Sequence, residues 1–435
     1  MSARVSRRQF VHTSSIGAGV GLAWLTGGRA PAFAQKRELT MLAWNHFVPA
    51  SDENLRQQAD EFSRQAGVTM RVDTITALQL PAKWAAEAQT HSGHDIVHIG
   101  GAAPFLYEKS LVDVGDLVDE LGKKYGGWYP FSKESAFTDA GWRGVPWFWI
   151  SFPATYNMTH FKKAGLETPK TWAELLHHGK ILKIKNQGNP VGIAISHCPD
   201  ANSTFWSVLW SYGGKALEAD GKTPAINSDK TAQVIEWYKE LYKDAMEPEV
   251  LSWDDASNNR CLLAGKCSWI HNPISPYNLA LAQKMPIADE INHHNSPAGP
   301  AGTYSAPPIQ TLGIWTFSKN VQLAKDFLRF HFKKENYDKW IVASNAFNHP
   351  PLRDLADHPI WARNPKFAML PKEAEFAHAR GWPAKPNAGV SLIDINYMMP
   401  DMVAKAVNGM PTKRAMEWAQ DQVVLAVKGQ AKASG

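Results

Sequence analysis

The sequence predicts an α/β protein built as two lobes joined by several crossings of the backbone. At 435 residues the protein exceeds one small core, and two domains is the ordinary expectation. Strand and helix patterns alternate from Glu38 onward, which implies a parallel sheet with crossover helices. No internal repeat, low-complexity stretch or Pro/Gly/Ser linker separates the halves, so the lobes exchange segments instead of following one another as beads. Several such crossings make a hinge.

The first 34 residues read as an export address. "SRRQFV" (Ser6 to Val11) matches the twin-arginine pattern through Arg7, Arg8 and Phe10. The apolar stretch Ile16 to Leu25 is too short to span a membrane, and "AFA" (Ala32 to Ala34) offers the small residues of a signal-peptidase site. Gln35 is then the expected mature N-terminus and the periplasm the expected compartment; the bland alternative is a basic tail. This segment carries Arg4, Arg7, Arg8 and Arg29 and no acid, so the net charge of +5 falls close to neutrality once it is set aside. The +5 therefore says nothing for nucleic acid or anionic membranes, and no nucleic-acid partner is expected. Of three cysteines, Cys261 and Cys267 could close a short loop or stay reduced, and Cys198 is left over either way.

"ELTMLAWNHF" (Glu38 to Phe47) reads as a strand with a Trp-Asn-His tip. A helix over 51–67 follows, with Ser51 as N-cap, Leu55, Ala59 and Phe62 as its apolar stripe, and Gly67 as its stop. "VTMRVDTI" returns as a strand, "AKWAAEAQT" as a helix, and "HDIVHIGG" (His94 to Gly101) as a buried strand. Ligands of such sheets sit beyond the carboxyl ends of the strands, which places Trp44, Asn45, His98 and the Gly100–Gly101 backbone near any site. From Trp142 the sequence turns extended and aromatic. A helix pair follows within "TYNMTHFKKAGLETPKTWAELL", then a strand at 191–196 and helices at 203–214 and 229–245. "IQTLGIWTFSK" reads as a strand and "LAKDFLRFHF" as a helix.

Catalytic and metal motifs mostly fail. "GAGVG" lies inside the export address, and no Walker A, H-E-x-x-H or G-x-S-x-G sequence occurs. His91, His94 and His98 cross a turn into a strand and fit no zinc spacing. His293 and His294 read as exposed loop residues, and Asp254–Asp255 as a helix N-cap. No metal or cofactor is expected. What remains is aromatic: 18 tryptophans, many beside Gly, Pro, Asn or Asp. Aromatic faces stack on the C–H faces of a sugar ring, and amides and carboxylates bind its hydroxyls. Trp147 and Trp149, two apart on an extended segment, are expected to face the same side. The competing reading makes each of these tryptophans an ordinary core residue.

"WRGVPWFWISFPATYNMTHFKKAGLETPKTWAELL" resembles the signature of extracellular solute-binding proteins of sugar-type ABC transporters, the maltose-binding-protein-like family. Its physical content is local: Thr171 and Glu174 make a T-x-x-E capping box, Gly165 ends the first helix, and Pro169 stiffens the link. "SYGGKALEADGKTPAINS", "LLAGKCSWIHNP" and "SKNVQLAKDFLRF" resemble further family pieces in the right order. "WRGVPW", where the family usually has Tyr before Gly-Val-Pro and this sequence has Arg143, is a departure, and the Trp-rich run beyond it suggests a ligand other than ordinary maltosaccharides.

The resemblance implies a two-lobed periplasmic-binding-protein fold of the Venus-flytrap kind. It also implies a non-enzymatic role: capturing a sugar, oligosaccharide or related polyol and passing it, as a monomer, to the membrane permease subunits of an ABC importer. Expected segments are 1–34 as signal peptide, 35–147 and 269–340 as the first lobe, 148–268 as the second, and 341–435 mainly on the second. The expected ligand contacts are Trp44, Asn45, His98, Trp147, Trp149, Trp206, Trp253, Asn272 and Trp382. Two alternatives stand beside this reading: a binding protein for glycerol-phosphate or another anion, which would need extra Arg or Lys in the cleft, and a periplasmic carbohydrate-active enzyme, which would need paired carboxylates.

Overall fold

The computed structural model describes residues 37–185 and 190–431; the expected export address lies outside them. One sheet has six strands in the order Asn348–His349, Val145–Ile150, Ile309–Ile314, Ile96–Gly100, Glu38–Trp44, Thr69–Ile75. A second has four, in the order Ile291–His294, Ala154–Asn157, Trp269–His271, Val191–Gly192. The expected parallel pairing holds for Glu38–Trp44 with both its neighbours. It fails beyond them, because Ile309–Ile314 enters from the second lobe and pairs antiparallel with Ile96–Gly100 and Val145–Ile150. The first sheet is therefore mixed.

Glu38–Trp44 is buried at every position after Glu38, as its run of apolar residues, interrupted only by Thr40, requires of a strand covered on both faces. The helix Pro49–Ala66 covers one of them with Leu55, Ala59 and Phe62, and Phe62 meets Phe327 edge-on at 5.4 Å. This helix starts two residues before Ser51, with Pro49 in its first turn. Ser51 is thus no cap; it is buried and accepts from Asn348 Nδ2 at 3.3 Å.

The helix pair of the family signature forms as expected. Thr171 Oγ1 accepts from the Glu174 N–H at 3.0 Å, and the Glu174 carboxylate takes the Lys170 N–H at 2.7 Å. Gly165 closes Met158–Ala164 at φ 70°, and a Cβ there would meet no atom within 4 Å. Gly165→Ala therefore isolates backbone strain, and urea unfolding is expected to read a loss of about 1–2 kcal/mol.

The backbone moves from one sheet to the other at Ser151–Pro153 and again between His294 and Ile309. The boundary expected at 268/269 therefore moves to the 295–308 crossing: Trp269–His271 and Ile291–His294 pair with Ala154–Asn157 and are strands of the second lobe. The third connection, beyond His349, leads to the helices Ala388–Ile395, Met398–Val407 and Thr412–Val427, of which Met398–Val407 packs on both Pro199–Ser211 and Asp229–Ala245.

These connections touch. Ser305 bridges Ala377, and the Ile150 N–H donates to the Pro308 carbonyl at 3.0 Å. At their centre is Glu373, 2% exposed. Its carboxylate accepts from Ser151 Oγ at 2.5 Å, from the Phe152 N–H at 2.7 Å and from Ser305 Oγ. This one carboxylate thus ties all three crossings together. Cys261 and Cys267 form a disulfide, and Cys198 is free and buried.

Candidate functional site

A cavity of about 170 Å³ lies between the lobes. The first lobe lines it with Trp44, Phe47, Trp84, His98, Ile150, Gln310 and Phe347, the 295–308 crossing with Pro308, and the second lobe with Asp200, Asn202, Asp255, Arg380, Asp394 and Tyr397.

The first-lobe wall is one hydrogen-bonded unit at the carboxyl ends of its strands. The Trp44 N–H donates to His98 Nδ1 at 3.1 Å, so the ring proton sits on Nε2, which donates to Gln310 Oε1 at 2.6 Å. Trp84 Nε1 donates to the His98 carbonyl at 2.8 Å. Burial holds the His98 pKa down at about 4, so the imidazole is neutral at ordinary pH. Phe47 packs edge-on to Trp44 at 5.3 Å, and Phe347 lies 6.2 Å from it.

The opposite wall is polar. The helix Pro199–Ser211 is buried from Asp200 onward, so its polar residues face neighbours or the cavity. Asp394 is its hub: Trp206 Nε1 donates to its carboxylate at 2.8 Å, Asn202 Nδ2 to its carbonyl at 2.8 Å, and Arg380 Nε lies 3.3 Å from Oδ2. Arg380 Nη2 also donates to Ser203 Oγ at 2.7 Å. Asp200 accepts from Asn258 Nδ2 at 2.7 Å. Burial, then the charge of Asp255, push the Asp200 carboxyl well above its usual range; burial, then Asp254, push Asp255 up to about 7. Three buried polar atoms on this wall have no protein partner: Asp255 Oδ1, Asn202 Oδ1 and Arg380 Nη1. Tyr397 beside them holds φ at 51°, a strained backbone for an aromatic residue.

Of the nine residues expected from sequence, Trp44 and His98 line this cavity. Asn45 is exposed at the strand end, its N–H bonded to the Ile75 carbonyl. Trp206 stands behind the wall, supporting Asp394. Asn272 is one layer back, donating to Asn259 Oδ1 and the Pro273 carbonyl while Asn258 donates to it. Trp253 borders a separate depression with Val191, Cys261 and Cys267. Trp382 stacks on His378 at 4.5 Å and Tyr304 at 5.2 Å, away from the cavity.

Trp147 and Trp149 do not share a side. Gln310 pairs with Phe148 but Thr311 with Pro146, leaving Trp147 as the extra residue of a β-bulge. Trp147 stacks on Trp340 at 5.0 Å, whereas Trp149 joins Phe131 and His349 in another cluster. His293 and His294, expected on an exposed loop, are strand residues, His293 buried and His294 half-buried. His94 is held by Glu87 at 2.6 Å and Asp73 at 3.0 Å, apart from His98.

Neither Asp254 nor Asp255 is the expected N-cap, since the helix Ser257–Leu263 starts from Ala256 with no side-chain cap; Asp254 accepts from the Ala256 N–H and Ser257 Oγ in the preceding turn, and Asp255 lines the cavity. Sequence reasoning misses Asp200, Asn202, Arg380, Asp394 and Tyr397. Their signal is polarity out of place: Asp200 and Asn202 open a helix that continues into the aromatic and apolar run "FWSVLW", and Asp394 interrupts "VSLIDINYMM".

Residues 57–369 match the family described as bacterial extracellular solute-binding protein. The protein belongs to that family. Solved structures share the fold of this solute-binding protein at low identity. The maltose-bound MalE3 of T. maritima has a TM-score of 0.78 at 17% identity, over 89% of this protein and 98% of that one. An ABC transporter solute-binding protein of Thermotoga lettingae with α-D-tagatose has 0.79 at 19%, over 90% and 100%. One from Agrobacterium radiobacter with ribitol has 0.76 at 18%, over 89% and 98%. No curated protein sequence matches this one. The fold is thus the two-lobed one of periplasmic sugar-binding proteins.

Proposed function

We propose that this solute-binding protein captures a sugar, oligosaccharide or related polyol in the inter-lobe cavity and delivers it to the permease subunits of an ABC importer. It works in the periplasm as a monomer, reached by twin-arginine export, and performs no catalysis. The observation that carries this reading is the pairing of two chemistries in one cavity. Trp44, Phe47, Trp84, Phe347 and Tyr397 supply apolar faces for the C–H groups of a ring or a linear polyol, and Asp200, Asn202, Asp255, Gln310 and Arg380 supply acceptors and donors for hydroxyls. The similar structures that hold maltose, tagatose and ribitol agree with it. An anionic ligand such as glycerol-phosphate is disfavoured, because the only cation lining the cavity among the described residues, Arg380, shares that cavity with three carboxylates.

The test is titration with sugars and polyols, read by tryptophan fluorescence and thermal shift, with product analysis of the same samples. Saturable quenching without product is expected, since Trp44 and Trp84 line the cavity. Trp44→Ala is expected to weaken the best ligand at least about tenfold. Turnover, or a panel in which nothing binds, would overturn the reading.

A further inference from the structure

The second-lobe wall brings three carboxyl groups, Asp200, Asp255 and Asp394, together with one cation, Arg380. Asp394 is balanced by Arg380, but Asp200 and Asp255 have no cation of their own. Asp200 is held by a neutral amide, and Asp255 takes a backbone N–H from Asp200 and leaves Oδ1 bare. Asn202 Oδ1 is a second bare acceptor, on a residue 5% exposed. The bare donor, Arg380 Nη1, belongs to a residue 7% exposed. The wall therefore asks for a donor-rich group beside Asp255 and Asn202 and an oxygen beside Arg380. An ammonium offers three donors, no acceptor and a positive charge, whereas a hydroxyl offers one donor and no charge. Aromatic faces in the same cavity also favour a cation.

Resting on the sugar-or-polyol reading above, we propose that the natural ligand is an amino sugar or amino polyol, its ammonium held by Asp200 and Asp255 and a hydroxyl by Arg380.

Without ligand, burial opposes ionisation of both carboxyls, helped by the charge of Asp255 on Asp200 and of Asp254 on Asp255. The other titratable or charged groups around Asp255 are Asp254 on its own segment, Cys198 near the start of the helix Pro199–Ser211, Arg380, and Asp394 and Tyr397 from the C-terminal segment, with neutral His98 across the cavity. An ammonium brought against the pair favours its ionised form. Amine affinity is therefore expected to rise with pH through about 7, the Asp255 value, while neutral-ligand affinity shows no such rise.

Calorimetric titration of the whole protein with sorbitol against 1-amino-1-deoxysorbitol, and glucose against glucosamine, tests this. The amine of 1-amino-1-deoxysorbitol stays protonated to pH 8, as an ordinary alkylamine does. The amine of each pair is expected to bind at least about tenfold tighter at pH 7.5, as close charge pairs allow. Asp255→Asn should weaken the amine of each pair at least about tenfold more than its neutral partner. If that variant does not fold, the wild-type pH profiles of the sorbitol pair decide. Neutral partners binding as tightly as amines, or Asp255→Asn weakening both equally, would overturn the amine and leave the sugar-or-polyol reading standing. Binding by neither class would overturn both.

Discussion

Arg380→Ala is expected to destabilise the protein by about 3–5 kcal/mol, the usual cost of removing one partner of a buried ion pair. The substitution leaves Asp394 enclosed with only the Trp206 indole on its carboxylate and strips Ser203 of its guanidinium partner. It also removes the one positive charge facing Asp200, whose carboxyl is already held far above its normal range. Urea unfolding measures the loss. Asp394→Asn added to Arg380→Ala should return part of it, since the amide has no charge to strand, and the coupling between the two sites is expected at about 1–3 kcal/mol. A single-variant loss below about 1 kcal/mol would mean the pair is solvated, contrary to its burial.

Glu373→Ala is the second large effect. It deprives Ser151 Oγ, the Phe152 N–H and Ser305 Oγ of one shared acceptor, all in buried surroundings. Unsatisfied buried donors cost about 1–3 kcal/mol each, so a loss of about 3 kcal/mol or more is expected in urea. Glu373→Gln keeps one acceptor oxygen and tests the charge separately. Burial raises the Glu373 pKa from 4.5 to about 7, so between those values the folded state holds a proton that the unfolded state has released. The stability this proton gives is full below about 4.5 and is lost as pH rises through 7. Glu373→Gln lacks this pH dependence, so its Tm relative to wild type should climb between pH 5 and pH 8. A constant difference would show that Glu373 keeps one charge state across that range.

What the sequence makes legible is local. The Thr171 cap and the Gly165 stop need only sequence neighbours, and both form, although Glu174 reaches back to the Lys170 N–H and not to that of Thr171. The alternation from Glu38 to Gly101 yields three parallel strands because each returns through its own helix. The Ile309–Ile314 strand shows no such dependence on what precedes it, and nothing local reveals its direction or its central place. The site follows the same division. Trp44 and His98 lie at the ends of strands that can be read, so their placement is available. Asp200, Asp255, Arg380 and Asp394 come from distant segments that meet only in the folded protein. Tryptophan abundance misleads, because most of these rings fill the interior: Trp147, Trp149, Trp206 and Trp382 all pack on protein groups, and a single bulge residue reverses the facing of the first two.

The late arrival of one central strand also sets the order of assembly. Ile309–Ile314 stands between Ile96–Gly100 and Val145–Ile150, so a polypeptide synthesised only as far as Pro308 has the first lobe's sheet in two unjoined pieces. Val97 and Ile99 would then border an open edge, and their pairing with Gly313 and Thr311 closes a loop of about 200 residues, the kind of contact that makes folding slow. The first lobe is complete only after the second has been threaded through, so neither lobe is a separable module. Halves expressed apart from one another would each lack strands the other half encodes, and binding would return only when the two polypeptides are refolded together.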